Sequence, residues 1–380
     1  MHQHQQGLTA PLYVEVSPLL RKPLTGVGRF VARLLEALIP LTPLRLIATR
    51  SREDPHGTDL GVPLPWGEEI AIDALSRGPA AGDLTTWVRR LLSLPRRRSN
   101  AEQAARSPGL CTWLRPRRRL FRREIGIFYD FTPLLLPWTH REETCADFRS
   151  FFAEAALSFD RVVALSHSTK ADARWLCALP EENIVVGYPG PSLCVHGHAD
   201  SHPTGRREDA LLVVSTREPR KNGPFLIDWF FRTKGLPAEA TLWWVGPSGW
   251  LCELGRRKVL SWQGRTVEFL GEVSDERLCR LYRQATLSVY SSLYEGFGFP
   301  VLDALRHGTP ILCSGNSSLQ EFGDLGAYLF DPCDPASLED TYCQLRDELR
   351  SGMWRSPDLA LLDRRFSWDA LARMILSLCA

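Results

Sequence analysis

Short apolar runs rich in β-branched residues alternate along this chain with stretches in which apolar residues recur at helical spacing. Such runs predict strands, and the stretches between them predict amphipathic helices. In the first half, the predicted strands are 12–16, 44–48, 160–165 and 183–187, a run at 126–136 opens from a strand into a loop, and the predicted helices are 30–38 and 168–178. This alternation is typical of an α/β fold with a parallel sheet.

A polar, turn-rich segment at 196–209 interrupts the alternation. After it the pattern restarts, with predicted strands at 210–215, 241–245, 266–270, 286–290 and 310–314 and predicted helices at 224–231, 275–284 and 300–307. We therefore predict two α/β domains, 1–195 and 210–365, joined by a linker at 196–209 and followed by a terminal segment at 366–380. Because ligands of open α/β sheets bind beyond the carboxyl ends of the strands, the two domains are expected to face a central cleft.

The composition excludes several classes of protein. Hydrophobic residues make up 44% and charged residues 24% of the 380 residues, which excludes a disordered or fibrous chain. A formal net charge of +2 argues against a dedicated nucleic-acid binder. The sequence shows no signal-like segment, no apolar run long enough to span a membrane and no C-x-x-C spacing among its ten cysteines. We therefore expect a cytoplasmic protein with reduced thiols and no zinc site.

One segment departs from this near-neutral balance. Residues 89–124 hold twelve arginines against two glutamates, a local charge of +10, interleaved with leucine and aromatic residues. A basic segment of this kind suits docking on an anionic membrane surface, as for a peripheral protein at the inner face of the plasma membrane. The alternative is a solvated insertion without a partner, since charge runs alone are weak signals.

The most informative segment is YEGFGFPVLDALRHG at 294–308. Pro300 stands where a helix would begin and Gly308 where it would end. The loop before this helix would present backbone N–H groups beside the positive end of the helix dipole, which suits a diphosphate. Three residues would supply them: Phe297, Gly298 and Phe299. An ordinary loop with a helix cap is the alternative.

Two carboxylates flank this loop. Glu295 precedes it, and Asp303 follows eight residues later on the predicted helix. Carboxylates beside a bound phosphate are electrostatically unfavourable unless they accept hydrogen bonds from hydroxyl groups, as those of a sugar would provide. This pair therefore points to a sugar linked to a phosphate.

Two further loops follow predicted strands. Lys221, one of only five lysines, and its neighbour Arg220 come just after the strand 210–215, where an ammonium group could reach a phosphate; a surface loop is the alternative. Gly26 and Gly28 follow the first predicted strand and permit close backbone approach to a phosphate or sugar. Val31 stands where the dinucleotide fingerprint needs a third glycine, which disfavours a hydride-transfer enzyme.

Taken in order, these segments resemble the retaining glycosyltransferases of family four, and in particular the branch of bacterial polysaccharide and lipopolysaccharide mannosyltransferases. EGFGFPVLD resembles the E-x7-E element of that family, TGVGR its glycine loop, FYDFTPLLLP its histidine–aspartate loop and REPRKN its phosphate-binding lysine segment. WWVGPSGW and VEFLGEVSDERLCRLYRQA resemble the parts that hold the nucleotide base. The resemblance covers 11–50 and 126–380.

The resemblance implies the GT-B fold, in which two Rossmann-like domains face a central cleft. The N-terminal domain, with the basic insertion at 89–124, would bind the acceptor, and the C-terminal domain would bind a nucleotide sugar. The terminal helix at 366–380 would pack back toward the N-terminal domain. The implied activity is metal-independent transfer of a hexose, with retention, from a nucleotide diphosphate sugar to a hydroxyl of a polysaccharide or glycolipid. GDP-mannose is the favoured donor.

Residue roles follow from the same resemblance. Glu295 would orient hydroxyls of the donor sugar, Asp303 would hold the ribose, and Lys221 would meet the charge of the leaving diphosphate. Asp130 would contact the sugar or acceptor, although capping of the following turn is an equal alternative. Further substrate-binding candidates are Gly26, Gly28, Arg29, Thr216, Arg220, Gly246 and Val273, the last meeting the base through its backbone. No metal or other cofactor is implied.

Three departures from the family pattern bear on activity. Asp303 stands where glutamate is usual, Tyr129 where histidine is common, and Ser215–Thr216 where many relatives have an arginine. Two other functions therefore stay open at this point: a sugar phosphorylase of the same fold, and a catalytically weak nucleotide-sugar-binding partner of another transferase. His140 is interpreted as an ordinary histidine and Trp250 as a packing residue.

Overall fold

The computed structural model describes residues 10–20, 25–48, 70–75, 101–113, 119–154, 159–193, 208–251 and 258–380. The chain divides into two compact units. Unit 1 comprises Met1–Tyr129, Asp147–Ser192 and Phe366–Ala380, and unit 2 comprises Asp130–Ala146 and Leu193–Arg365. Each unit contains one seven-stranded sheet, so the predicted α/β architecture of two Rossmann-like domains is confirmed.

The secondary-structure elements are as follows. The strands are β1 (Leu12–Glu15), β2 (Leu44–Ala48), β3 (Ile70–Leu75), β4 (Pro108–Cys111), β5 (Arg123–Phe128), β6 (Arg161–Ala164), β7 (Ile184–Val186), β8 (Glu208–Val214), β9 (Thr241–Val245), β10 (Val259–Trp262), β11 (Arg265–Gly271), β12 (Ala285–Tyr290), β13 (Ile311–Ser314) and β14 (Tyr328–Phe330). The α-helices are α1 (Gly26–Leu38), α2 (Ala101–Arg106), α3 (Thr132–Leu135), α4 (Glu142–Glu154), α5 (His167–Cys177), α6 (Gly223–Arg232), α7 (Asp275–Gln284), α8 (Phe299–Arg306), α9 (Pro335–Ser351), α10 (Leu359–Arg365) and α11 (Trp368–Cys379).

The sheet of unit 1 has the strand order β3-β2-β1-β4-β5-β6-β7. The β2–β3 pair is antiparallel and the other neighbours are parallel. Every residue of β1 and β4 is buried, as expected for strands covered on both faces of a parallel sheet. The order reverses between β1 and β4, so the switch point of this sheet lies beyond the carboxyl ends of those two strands.

The sheet of unit 2 has the order β10-β11-β9-β8-β12-β13-β14, and its β10–β11 pair is antiparallel. The other neighbours are parallel. Its core packs apolar residues of the strands against α6 and α9, with Trp244 and Phe230 almost fully buried. The order reverses between β8 and β12, which places a second switch point where the loops after these strands begin.

Two predicted boundaries need correction. Helix α1 begins at Gly26 instead of residue 30, because Thr25 caps it by accepting the Gly28 N–H on its hydroxyl oxygen at 3.2 Å. Gly26 and Gly28 therefore lie in the first helical turn. Strand β8 begins at residue 208, so the predicted linker 196–209 is shorter at its end, and 196–207 lie outside the described residues.

The description of 89–124 as an insertion is wrong for part of that segment. Residues 101–106 form α2, and β4 lies within the sheet between β1 and β5. The last two residues of the segment open β5. Residues 89–100 and 114–118 lie outside the described residues. The basic segment therefore contributes a central strand to the fold of unit 1.

The terminal helix α11 belongs to unit 1 and packs against α1 and β5. Ser367 caps its N-terminus by accepting the Ala370 N–H at 3.2 Å. Trp368 donates its indole N–H to the Pro191 carbonyl at 2.9 Å, and a Cβ on Gly190 would approach the Trp368 ring to 2.3 Å. Glycine at 190 is what allows this indole to lie against the backbone.

Across the described ranges, no helix is both long enough and apolar enough to cross a membrane.

Candidate active site

Glu295 and two cations meet at the carboxyl edge of the unit 2 sheet. Arg220 and Lys221 lie in a 3-10 turn (Pro219–Lys221) after β8, and Glu295 lies in the loop after β12. Because β8 and β12 are neighbouring parallel strands, the loops that follow them meet at the switch point of the sheet. The structure thus brings together two segments that the sequence predicted separately.

These side chains form close ion pairs. Lys221 Nζ lies 2.5 Å from Glu295 Oε1, and Arg220 Nη1 lies 2.6 Å from Glu295 Oε2. Arg220 Nη2 also pairs with Glu218 Oε1 at 2.8 Å. The four side chains are 4–11% exposed, so two cations and two carboxylates balance one another in a buried setting.

The electrostatic coupling fixes the ionisation of Glu295. Burial raises the pKa of its carboxyl group, but the positive charges of Arg220 and Lys221 outweigh burial and hold the pKa at about 2. For Lys221, burial and the Arg220 guanidinium lower the pKa despite the opposing pull of Glu295. Burial also opposes the charge on Arg220, but Glu295 and Glu218 raise the pKa of its guanidinium overall. Glu295 is therefore a carboxylate, held by two cations at neutral pH.

The sequence analysis did not identify Glu218, and two further residues that it did not identify complete this arrangement. Tyr290 ends β12; its hydroxyl accepts a hydrogen bond from Lys221 Nζ at 2.8 Å and donates one to Glu295 Oε1 at 3.0 Å. Ser292 donates to the same carboxylate oxygen at 2.5 Å. Burial first, and then the charge of Glu295, raise the pKa of the Tyr290 phenol, so it stays protonated as a donor. We call Glu218, Arg220, Lys221, Tyr290, Ser292 and Glu295 the Glu295 cluster.

Backbone contacts lock the two loops of the Glu295 cluster together. The Leu293 N–H donates to the Arg220 carbonyl at 2.8 Å, and the Ser291 hydroxyl donates to the Lys221 carbonyl at 3.0 Å. Arg220 Nη1 donates to the Tyr294 carbonyl at 2.8 Å. The two cations are therefore positioned by the β12 loop as well as by their own turn.

The glycine loop enters α8 in a fixed conformation. Gly298 directly precedes the helix with a φ of +124°, and a Cβ there would lie 2.7 Å from Leu319 Cδ2. Ser318 donates its hydroxyl to the carbonyls of Glu295 and Phe297, at 2.9 and 2.6 Å. Gly298, at the N-cap position of α8, has no side chain with which to cap the helix. This geometry matches a glycine loop leading into a helix, and the proposed contact of the Phe297–Phe299 N–H groups with an anion stays a prediction.

Asp303 lies on α8 and is 3% exposed. Its Oδ1 accepts the Leu193 N–H at 3.4 Å. Tyr282 lies close enough to be affected, since burial first and Asp303 second raise the pKa of its phenol. Asp303 thus lies on the same helix that the glycine loop opens, and its contact with a ribose stays a prediction.

The other substrate-binding candidates of unit 2 also lie at the carboxyl edge of the sheet. Gly246, after β9, has a φ of +138°, and a Cβ there would lie 2.1 Å from the Ser215 carbonyl oxygen. Its N–H donates to the Gly271 carbonyl at 2.8 Å. Thr216 follows Ser215, and Val273 follows Gly271 by two residues, so these positions share one edge of the sheet. Only glycine fits at 246, which explains that residue without any ligand.

Asp130 caps the turn that follows it. Its Oδ1 accepts the Thr132 N–H at 2.9 Å and the Thr132 hydroxyl at 2.6 Å. Of the two interpretations offered by the sequence, capping is the one that the structure displays, and contact with a sugar stays a prediction. The charge of Asp130 also acts on Arg220, whose pKa it helps to raise.

His140 makes contacts within unit 2 that the sequence did not predict. Its Nε2 lies 3.0 Å from the Thr132 hydroxyl, and its ring lies 5.9 Å from the Trp250 ring. Burial first, and the Arg220 charge second, lower its pKa, while Asp130 opposes them. Trp250 donates its indole N–H to the Thr139 carbonyl at 2.9 Å, so Trp250 packs against the 130–146 segment within unit 2. No metal-like or catalytic spacing in the sequence would have identified His140.

The candidates Gly26, Gly28 and Arg29 lie in unit 1, at the start of α1. Gly28 is buried and Arg29 is exposed. Tyr129, where the family commonly has histidine, donates its hydroxyl to the Thr112 carbonyl at 2.8 Å and packs edge-on against Phe30. Its phenol is therefore used in the core of unit 1. Over the parts of the chain that the structure describes, no group of three His, Cys, Asp or Glu side chains could hold a metal ion.

Comparison with protein families gives one match. Residues 208–348, which include the Glu295 cluster, match the family described as Glycosyl transferases group 1. O-antigen chain mannosyltransferase B of Escherichia coli is 26% identical, with 92% of this chain and 94% of that protein covered. O-antigen chain mannosyltransferase RfbU of Salmonella typhimurium is 25% identical, with 58% of this chain and 60% of that protein covered.

Solved structures share the fold across nearly the whole chain. Anabaena Alr3699/HepE in complex with UDP and glucose superposes with a TM-score of 0.60 at 15% identity, covering 97% of this chain and 98% of that one. WaaG, a glycosyltransferase involved in lipopolysaccharide biosynthesis, superposes with a TM-score of 0.57 at 14% identity, covering 96% and 95%. At these identities the likeness concerns the fold, which is that of GT-B glycosyltransferases.

Proposed function

We propose that this chain, a glycosyltransferase with a group 1 domain at residues 208–348, transfers mannose from a nucleotide diphosphate sugar to a hydroxyl of a growing polysaccharide or glycolipid. The observation that carries the proposal is the Glu295 cluster, in which a carboxylate and two cations meet at the switch point of a Rossmann-like sheet. This is where ligands of open α/β sheets bind. The names of the mannosyltransferase relatives support the sugar class.

The two cations suit the leaving diphosphate. Bond cleavage at the anomeric carbon releases negative charge onto the phosphate oxygens, and a fixed ammonium and guanidinium stabilise that charge without rearranging. In the structure, Glu295 and Glu218 balance these cations. We propose that Lys221 and Arg220 turn part of their hydrogen bonding toward the diphosphate when the donor binds, assisted by the N–H groups at the start of α8.

Glu295 suits the sugar. A carboxylate held at a pKa of about 2 remains an acceptor throughout the physiological range, and it can accept from hydroxyls of a hexose as Lys221 and Arg220 turn toward the diphosphate. We propose that Glu295 orients the donor sugar so that the acceptor hydroxyl and the departing phosphate lie on the same face of the sugar ring. Transfer on that shared face would retain the anomeric configuration.

Asp303 is proposed to bind the ribose of the donor. It lies, 3% exposed, on the helix that the glycine loop opens, and a carboxylate at that position can accept a hydrogen bond from a hydroxyl. Asp303→Asn tests this: the Michaelis constant for the nucleotide sugar should rise more than the turnover number falls.

We propose that no divalent metal is needed, since two cations of the chain already face the leaving group. Addition of a chelator should leave transfer unchanged, and restoration of lost activity by a divalent cation would contradict the proposal.

The proposal also includes an anionic membrane surface as partner of 89–124, supported by its charge of +10. Arg119 is paired with Asp160 in the structure, so the sharper test removes only Arg117 and Arg118 and measures binding to anionic liposomes.

The experiment that tests the function is a two-step one. A thermal-shift screen of nucleotide sugars first identifies the donor, since a ligand that binds only the folded state raises its stability; GDP-mannose is expected to give the largest shift. Transfer to an O-antigen-type acceptor is then measured for the wild type and for Glu295→Ala. Loss of transfer in the variant supports the assignment. Binding of donor without transfer to any acceptor would favour a nucleotide-sugar-binding partner instead.

A further inference from the structure

We propose that unit 1 carries a second anion site, for a phosphate or phosphodiester group, at the amino edge of its sheet. Arg123 and Arg161 begin β5 and β6, and Asn183 directly precedes β7. Because β5, β6 and β7 are neighbouring parallel strands, their amino ends meet at one edge. An open pocket of about 470 Å³ lies there, lined by Arg122, Arg123, Phe159, Asp160, Arg161 and Asn183, which we call the arginine pocket.

The acid that lines the arginine pocket is already engaged. Asp160 Oδ2 accepts from Arg119 Nη2 at 2.5 Å and from the Glu124 N–H at 2.7 Å. Arg161 Nη1 is oriented by the Asn183 side-chain oxygen at 2.9 Å and by the Asp160 carbonyl at 2.8 Å. Three guanidinium groups therefore share a pocket in which the one carboxylate among the described lining residues already pairs with a fourth arginine.

Two of these guanidinium groups differ from Arg161 in their hydrogen bonding. Among the described residues, neither Arg122 nor Arg123 makes a side-chain hydrogen bond or ion pair, and Nε of Arg123 is buried without an acceptor. Burying a cationic donor without an acceptor is costly unless an anion offsets it. In the Glu295 cluster two carboxylates of the chain balance the charge of the cations, whereas among the described lining residues of the arginine pocket Asp160 is the one carboxylate.

The chemistry of the pocket favours phosphate. Guanidinium forks match pairs of phosphate oxygens, and a tetrahedral group can present oxygens to several forks at once. The buried Phe159 ring forms part of the wall and keeps the local dielectric low, which strengthens such contacts. This site lies at the amino edge of the unit 1 sheet and does not depend on the function proposed for the Glu295 cluster.

Calorimetric titration with inorganic pyrophosphate tests the proposal. The wild type should bind two equivalents, because the Glu295 cluster and the arginine pocket each offer cations to a diphosphate. Arg122→Ser/Arg161→Ser should retain one equivalent, Lys221→Met should retain the other, and Arg232→Ser, an exposed arginine paired with Asp228, should retain both. Unchanged binding in Lys221→Met would count against the donor site alone.

Arg122→Ser alone guards against misfolding, since Arg122 is exposed and, within the described part of the chain, its side chain makes no hydrogen bond or ion pair that folding would lose. It should weaken the pocket equivalent about tenfold, as loss of one charge-assisted contact implies. Phosphatidylglycerol vesicles and glycerol phosphate, each used as a probe, then identify the source. If Arg122→Ser weakens binding of the vesicles, the site takes a lipid headgroup; if it weakens binding of glycerol phosphate alone, the site takes a soluble phosphate compound. Pyrophosphate binding equal to the wild type in both pocket variants would overturn the proposal.

Discussion

The two units each gather cations at one edge of a similar sheet, but they treat the charge differently. In unit 2, Arg220 and Lys221 meet Glu295 and Glu218 at distances of 2.5–2.8 Å. In unit 1, the arginine pocket holds three guanidinium groups, and Asp160, the one acid among its described lining residues, is paired with Arg119. The first site balances the charge of its own cations, and the second carries a surplus of positive charge that we propose an external anion offsets.

The two sites also differ in how their charged side chains are held in place. The Glu295 cluster is held by hydrogen bonds from Tyr290 and Ser292 and by backbone contacts between its loops. Arg122 in the pocket has no such support. Substitutions in the cluster should therefore alter both stability and transfer, whereas substitution of Arg122 should alter only anion binding.

The largest effect is expected from Glu295→Gln. This change removes the negative charge that we propose holds the donor sugar and leaves two buried cations without their shared carboxylate, so transfer should fall roughly 100- to 1000-fold and stability should drop by about 3–5 kcal/mol. Steady-state transfer and thermal unfolding measure the two effects. Glu36→Gln, at an exposed pair with Arg33, serves as the control and should change neither.

Next in size is Lys221→Met. It removes the ammonium proposed to meet the leaving diphosphate, and it takes one of three hydrogen bonds from Glu295 Oε1. The turnover number should fall roughly 100-fold, with weaker binding of the nucleoside diphosphate product. Lys221→Arg keeps the charge and should recover part of the activity. Equal product affinity in wild type and Lys221→Met would rule out the phosphate role.

A smaller effect is expected from Tyr290→Phe. The change deletes one hydroxyl that contacts Lys221 and Glu295 while keeping the ring, and loss of a buried hydrogen bond costs about 1–3 kcal/mol. If Tyr290 positions these groups, the turnover number should fall about tenfold with little change in the Michaelis constant for the donor. Tyr328→Phe, in a part-buried contact with Glu348, is the matched control. A fall in stability without any fall in turnover would show a structural role only.

Acidification should reduce the contribution of the Glu295 cluster to the stability of the chain. Burial raises the pKa of Glu295, but Arg220 and Lys221 bring it from 4.5 to about 2 in the folded state. A depressed folded-state pKa contributes stability above about pH 4.5 that is lost as the pH falls toward 2. The gap in Tm between wild type and Glu295→Gln should therefore narrow over this window. A gap that stays constant down to pH 2 would show that the ion pairs do not contribute.

The smallest effect is expected from Arg122→Ser in the absence of added anions. This arginine is exposed, and its side chain makes no hydrogen bond or ion pair among the described residues. The free energy of unfolding should therefore change by less than about 0.5 kcal/mol, and transfer should not change. A marked loss of stability would mean that the pocket is a structural element of unit 1, contrary to the comparison drawn above.

Much of the fold follows from the sequence, because its signals are local. Alternating strand and helix patterns predicted both sheets, and Pro300 with Gly308 marked α8 to within a residue or two. The start of α1 was missed because Thr25 favours the beginning of a helix whereas Gly26 and Gly28 disfavour helix. Local propensity alone does not show which of these preferences decides the conformation. Strand β4 was hidden in a segment whose charge dominated its interpretation, although every residue of the strand itself is buried.

For the site, the sequence identified three of the four charged residues and missed Glu218, Tyr290 and Ser292. Glu295, Arg220 and Lys221 stand in recognisable segments, but their pairing depends on β8 and β12 being neighbours, which is a property of the sheet order. Tyr290 and Ser292 looked like ordinary strand-end residues. His140 gave no signal because its partners Thr132 and Trp250 come together only in the fold.

The central claim is that the Glu295 cluster binds and activates the donor. The most direct measurement is the rate of sugar transfer by Glu295→Gln, at saturating nucleotide sugar and at a temperature where circular dichroism shows the variant folded. The account predicts a turnover number reduced roughly 100- to 1000-fold, with the nucleoside diphosphate product still bound through Arg220 and Lys221. Transfer at the wild-type rate by the folded variant would contradict it.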